Sequence, residues 1–181
     1  MKNKFHSKIP ELSPKESLEI VKGLLKRKRK IVSKNVKPGH ILFTTYNAKF
    51  KEFTYDRTPL VLILKRSPGY TLGLNFHWLP VSLRMNLVKH IMDKNRANIR
   101  QRKAFKFTYS DFKPMLKSLR YAPCIRLYIN RRFGKQGVVI PGYKLLEIAR
   151  LRTETFTQGK YSASQLYAMA RQAGARKAKK K

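Results

Sequence analysis

Groups able to do covalent or acid–base chemistry are few in this chain: nine carboxylates, four histidines and one cysteine among 181 residues. The acids are Glu11, Glu16, Glu19, Glu52, Asp56, Asp93, Asp111, Glu147 and Glu154, and they are scattered. A two-metal nuclease needs clustered carboxylates to hold the ions that stabilise attacking and leaving oxygens. No such spacing occurs. Glu147 and Glu154 can share a helix face, where pairing with neighbouring arginines explains them equally well. His6, His40, His77 and His90 lack metal-ligand spacing. His77 lies in Asn75-Phe76-His77-Trp78, between a strand and a helix start, where a structural hydrogen bond suits it better than catalysis. Cys124 has no second cysteine, so an intrachain disulfide and a Cys-based zinc site are excluded, and its apolar setting reads as a buried thiol. Walker, GxSxG and dinucleotide fingerprints are missing. The residues therefore predict no enzyme, no cofactor and no metal.

The chemistry on offer is cationic. There are 42 Lys and Arg against 9 Asp and Glu, a formal net charge of +33. A compact domain so charged repels itself unless an anion is bound. Nucleic acid fits best, because Lys and Arg on its phosphates release condensed counterions. Residues 20–51 hold ten cations and no acid, residues 112–146 eight and none, and residues 155–181 seven and none. The candidate contacts are Lys26, Arg27, Lys28, Arg29 and Lys30, then Arg96, Arg100, Arg102 and Lys103. Arg126, Arg131 and Arg132 follow, and last the tail cations Arg176, Lys177, Lys179, Lys180 and Lys181. Phe105, Phe107, Tyr121, Tyr128 and Phe133 are interleaved with them, as base stacking or core packing would require. Zinc-finger, RRM and helix-turn-helix signatures are lacking, so base-specific readout has no support. An anionic membrane surface is the competing partner. The longest apolar run, residues 60–64, is far short of the ~20 residues that span a bilayer. The N-terminus lacks the apolar core of a secretory signal, which predicts an intracellular protein or one packaged in a particle.

These side chains need elements to position them. Ser13-Pro14-Lys15-Glu16 is a capping box with proline at the first helical position, opening an amphipathic helix through Leu18, Val21, Leu24 and Leu25. It runs into the pentabasic cluster. Pro38-Gly39 marks a turn. Residues 40–46, 59–65 and 70–76 read as strands, the last two forming a hairpin through Pro68-Gly69. Pro80 opens a helix with Leu83, Leu87, Val88, Ile91 and Met92 inside, and Arg84, Lys89 and Lys94 off that stripe. Residues 94–106 form a basic loop or helix extension. Ser110-Asp111 starts a short helix. Ile125, Leu127 and Ile129 alternate with Arg126, Tyr128 and Asn130, predicting a strand with one cationic face. Gly134 to Gly137 turns the chain and residues 138–140 return. Residues 145–152 are apolar at helical spacing. Ser162 and Gln165 cap a last helix that Gly174 ends, leaving a mobile basic tail. The whole predicts an α+β fold: a small antiparallel core, curled or closed as an SH3-like β-barrel, with several helices and basic terminal arms. The segments are a basic arm with its amphipathic helix at 1–36, an α+β core at 37–156, and a helix with basic tail at 157–181.

Several stretches together resemble a family of small proteins of contractile-tailed phages. They are Lys37-Pro38-Gly39-His40-Ile41-Leu42-Phe43, Tyr55-Asp56-Arg57-Thr58-Pro59-Leu60-Val61, and Gly73-Leu74-Asn75-Phe76-His77-Trp78-Leu79-Pro80 with Leu83-Arg84 beyond. Tyr128 with Arg131-Arg132, Glu147-Ile148-Ala149, Thr153-Glu154 and Phe156 complete the set. Order and spacing match over residues 37–156. Lys49, Lys51 and Glu52 depart from the Leu-Pro of relatives. Members are often labelled DNA end protector proteins. The resemblance implies a virion or DNA-maturation role, in the virion or host cytoplasm, with duplex DNA and other virion proteins as partners, and it supplies no catalytic residue. Three other readings stay open. They are a ribosomal-type RNA-binding structural protein, a virion scaffold protein binding acidic partners, and a nuclease on DNA ends, which the scattered acids disfavour.

Overall fold

The computed structural model describes residues 10–27, 29–30, 36–47, 57–96, 109–116, 118–157 and 161–179. The fold is α+β. Helix α1 (Pro14–Lys26) begins as the capping box requires: Glu16 N–H donates to Ser13 Oγ at 3.2 Å, and Ser13 N–H donates to Glu16 Oε2 at 2.8 Å. Its Val21 and Leu24, with Leu12 before it, enter the main core. The backbone N–H of Leu12 donates to Arg150 O at 2.9 Å and that of Arg152 to Ser17 Oγ at 3.2 Å, so this helix is fastened to the body and is no loose arm.

Six strands form one antiparallel sheet: β1 (Arg29–Lys30), β2 (Ile41–Tyr46), β3 (Leu60–Arg66), β4 (Tyr70–Asn75), β5 (Ile125–Ile129) and β6 (Phe133–Val139). Their spatial order is β1-β6-β2-β3-β4-β5. The β3–β4 hairpin turns through Pro68-Gly69, where Ser67 N–H donates to Tyr70 O at 2.8 Å. β3 is central and buried on both faces, which is why residues 60–64 are a continuous apolar run and not an alternating one. One face carries Ile41, Phe43, Leu60, Leu62 and Leu74 into the main core with the helices. The other carries Leu42, Val61, Ile63 and Tyr128 into a second cluster, flanked by Tyr46 and Phe133.

The sheet is not closed into a barrel. Register shifts after Thr44 and after Ile63 bend it, as bulges do. The β5 edge reaches β2 only through Ile129 N–H donating to Tyr46 Oη at 3.2 Å and through the packed rings of Tyr46, Tyr128 and Phe133. The predicted return after Gly134 to Gly137 is also corrected. A 3-10 turn at Asn130–Arg132 carries the chain from the β5 edge to β6, which runs straight through those glycines and pairs with β2. Gly134 is needed there for close approach, since a Cβ on it would collide with Thr45 Oγ1.

The two faces of β5 are inverted relative to the predicted alternation. Tyr128 is 5% exposed while Leu127 is 63% exposed. The curl turns the Arg126–Tyr128–Asn130 side inward, and the helices cover only the Ile125 end of the other side.

The remaining helices are α2 (Val81–Lys94), α3 (Tyr109–Leu116), α4 (Leu145–Ala149), α5 (Glu154–Thr157) and α6 (Ala163–Lys179). Ser162 and Gln165 cap α6 reciprocally, at 2.8 and 3.3 Å. This helix does not stop at Gly174 but runs on to Lys179. One interior glycine costs ~1 kcal/mol, and the flanking Ala, Arg and Lys are strong helix formers that offset it.

The Phe76–Trp78 corner is buried, and Trp78 is only 6% exposed. Trp78→Ala should therefore lower stability by about 3–5 kcal/mol in denaturant titration. Gly73→Ala should cost about 1–3 kcal/mol, because the added methyl meets Val61 Cγ1 and lies 3.2 Å from Tyr128 Cε2. A loss under 1 kcal/mol for Trp78→Ala would contradict this packing.

Candidate nucleic-acid interface

His77, Leu79, Ala149 and Thr153 meet at one buried point, and Arg84 is its centre. The helical stripe places Arg84 on the polar side of α2; in the structure it is fully buried. Its Nε donates to Leu79 O at 2.6 Å. Nη1 donates to the carbonyls of Ala149, at 3.4 Å, and Leu151. Nη2 donates to His77 O at 3.2 Å and Thr153 Oγ1 at 2.8 Å. Thr153 passes its own proton to His77 O at 2.7 Å. Burial pushes the Arg84 pKa down to about 10, with Glu11 and Glu154 opposing the shift at longer range. The cation survives at neutral pH because carbonyl dipoles replace its water.

His77 belongs to the same knot. Its Nδ1 accepts from Leu60 N–H at 3.2 Å, which puts the proton of the neutral ring on Nε2. The ring stacks on Phe156 at 4.4 Å between centroids, and Phe156 meets Phe43 edge-on. His77 is 0% exposed, so no substrate reaches it. Cys124 is likewise buried, and burial pushes its thiol up to about 12, as the apolar setting predicts. Among the described residues, no group of His, Cys, Asp and Glu is arranged to hold a metal ion.

The predicted cationic contacts separate into several places. Lys26 and Arg27 are exposed at the C-terminal end of α1, where Arg27 N–H caps Leu24 O. Arg29 and Lys30 form β1 and pair with Gly137 and Gln136 of β6, so two of the five residues of the pentabasic cluster are sheet edge. Arg96 is exposed but bound to Asp93 at 2.9 Å. Arg126 is half-buried, with its guanidinium 5.1 Å from the Trp78 ring centroid and Nη1 donating to Ile125 O. It is thus largely committed to packing. Arg131 is exposed, and Arg132 donates from Nη1 to Asn47 O at 3.2 Å. Arg176, Lys177 and Lys179 lie in α6. Lys28, Arg100, Arg102, Lys103, Lys180 and Lys181 fall outside the described residues.

One grouping was not legible in the sequence. Asn130 fixes the 3-10 turn to the β3–β4 hairpin. Its Nδ2 donates to Ser67 O at 2.6 Å and Pro68 O at 3.0 Å, its Oδ1 accepts from Thr71 Oγ1 at 2.6 Å, and its N–H donates to Gly69 O. Asn47 N–H donates to Arg132 O, and Tyr46 N–H donates to Arg57 O. Lys65, Arg66, Arg131 and Arg132 are thereby gathered where the β3–β4 hairpin meets the turn between β5 and β6. Burial lowers the Arg66 pKa, because loss of water disfavours the charged guanidinium. These residues are spread over 68 positions, so only the fold unites them.

Among the described residues, no helix is long and apolar enough to cross a membrane. No family model, no curated protein and no solved structure matches the chain.

Arg84→Met would remove the Arg84 donor from five buried acceptors, of which His77 O keeps the Thr153 hydroxyl, and should cost about 3–5 kcal/mol. His77→Ala should cost about 2–4 kcal/mol through an orphaned amide and a cavity. Polyanion affinity per folded molecule should stay within about two-fold of the parent in both, since neither side chain faces solvent. A normally stable His77→Ala protein that no longer binds would overturn the structural assignment.

Proposed function

We propose that this chain is a phage virion-associated protein that holds duplex DNA, including its ends, through sequence-independent phosphate contacts. The observation that carries the reading is the single sign of the exposed charge around the sheet. Residues 57–92 and 112–146, which supply β3 to β6, contain no acid, yet they form a packed sheet whose exposed polar groups are cationic wherever charged. Such a surface has a favourable partner in a polyphosphate and in little else of the cell interior. The exposed end of α1, the Asn130-anchored arginines and the cation-rich end of α6 supply separate contact points. The resemblance to contractile-tail phage proteins supports a virion or host-cytoplasmic setting, and its most specific residues make up the Arg84–His77 knot. The role is one of holding, not of catalysis: the nucleophilic and basic side chains Cys124 and His77 are both inside the core.

Two measurements test this. With roughly 6–10 phosphates contacted, affinity for linear duplex should fall about 10³–10⁵-fold between about 50 and 200 mM salt, with little dependence on sequence. A flat salt response removes the reading, as does exclusive binding to structured RNA or to an acidic protein. Changing Lys26, Arg27, Lys28, Arg29 and Lys30 together to Gln should reduce the slope of log K against log salt by about 2–4 while the thermal transition remains. An unchanged slope would exclude the cluster from the interface.

A further inference from the structure

The outer end of the β4–β5 face carries an anomaly that phosphate contacts leave unexplained. A solvent-facing sheet surface is ordinarily polar. Here Tyr70 is 50% exposed and Leu127 is 63% exposed on adjacent strands. The register sets Tyr70 opposite Ile129, Leu72 opposite Leu127, and Lys65 opposite Leu72. Side chains two apart on a strand share a face, so Lys65, Leu72, Leu127, Tyr70 and Ile129 form one continuous platform. Leu72 at the platform's inner margin packs against the main core, as do Leu74 and Ile125 in the next row inward. Exposure rises outward from Leu72 to Leu127 and Tyr70.

It is also rigid. Tyr70 O accepts from both Ser67 N–H, at 2.8 Å, and Ser67 Oγ, at 3.0 Å, and Asn130 fastens the neighbouring turn through four hydrogen bonds. Exposed Lys65 lies on the platform, and exposed Arg131 leaves the anchored turn beside it. A half-exposed ring with apolar neighbours and flanking cations is what a stacked base between two phosphates needs. Inside a paired duplex the base faces are stacked on one another and offer this ring nothing.

We infer that this platform takes an unpaired nucleotide of a single-stranded segment, with Tyr70 stacking on the base and Lys65 and Arg131 meeting the flanking phosphates. The inference rests on the nucleic-acid reading above and names the strand state that this part of the surface selects.

Fluorescence anisotropy on the full chain tests it, with an oligothymidylate and a duplex of matched length, each of about 20 nucleotides per strand. Tyr70→Ala should weaken oligothymidylate binding about 5- to 150-fold and duplex binding less than about two-fold, whereas Tyr70→Phe keeps the affinity of the parent. Tyr70→Thr preserves strand propensity and should reproduce the alanine result, so misfolding of one variant cannot mimic it. Lys65→Gln with Arg131→Gln should lower the salt slope for oligothymidylate by about 1–2. If Tyr70→Ala leaves oligothymidylate binding unchanged, or weakens both ligands equally, the inference fails while the duplex reading stands. If Tyr70→Thr instead abolishes self-association and leaves both nucleic acids bound as before, the platform is a protein interface. Salt-independent binding of both ligands by the parent overturns the duplex reading first, and this inference with it.

Discussion

A desolvated guanidinium holds this structure together. Arg84 gives its protons to the carbonyls of His77, Leu79, Ala149 and Leu151 and to the hydroxyl of Thr153. Those acceptors belong to the strand-to-helix corner after β4 and to the segment between α4 and α5. Neither region has a sheet ladder to satisfy its backbone, and buried carbonyls left without donors are costly. One side chain with five N–H groups satisfies them together. His77, whose carbonyl Arg84 binds, extends the tie to β3 through the Leu60 amide. The helical layer is thereby fixed against the sheet by a polar clasp inside an otherwise apolar core. Arginine suits this task where lysine would not, because its planar fork reaches several acceptors at once.

The second constraint is self-repulsion. A net charge of +33 works against compaction at every point of the surface. Acids are too few to relieve it by pairing. Asp93 with Arg96 and Glu147 with Lys144 are exposed or half-exposed pairs that contribute little. Cohesion therefore falls to the two apolar clusters on either side of β3. An anionic ligand that binds only the folded chain adds to stability by mass action, so folding and occupancy are coupled in such a protein.

The curl of the sheet divides these tasks. Its helix-facing side builds the main core and its concave side the smaller aromatic cluster. The end where β5 turns into β6 carries exposed cations instead. There, Asn130 uses all of its hydrogen-bonding groups to set arginines from distant parts of the chain on a rigid base. Rigid presentation matters for binding because flexible cations lose side-chain entropy on contact that preordered ones do not.

Local signals in the sequence determined much of the secondary structure. The Ser13–Glu16 and Ser162–Gln165 boxes, the Pro68-Gly69 hairpin, the three strands that follow Pro38 and the helix after Pro80 are short-range chemistry, and each forms where its residues place it. Composition likewise determined the character of the surface and the burial of Cys124. The tertiary structure alone decided the rest. Arg84 is charged and sits beside the apolar stripe of its helix, so periodicity puts it in water; carbonyls up to 67 residues away in sequence, with the Thr153 hydroxyl, bring it inside. The alternation of β5 is real, but which side faces the core depends on the direction of the sheet's curl, and the bulges on β6 and β3 bend the sheet. Glycines 134 and 137 look like a turn until the close approach of β2 gives them another use. Gathering Lys65, Arg66 and Arg131 at one end required Asn130 to fold onto the hairpin. Short-range patterns record what a residue prefers, whereas packing partners far along the chain determine which preference prevails.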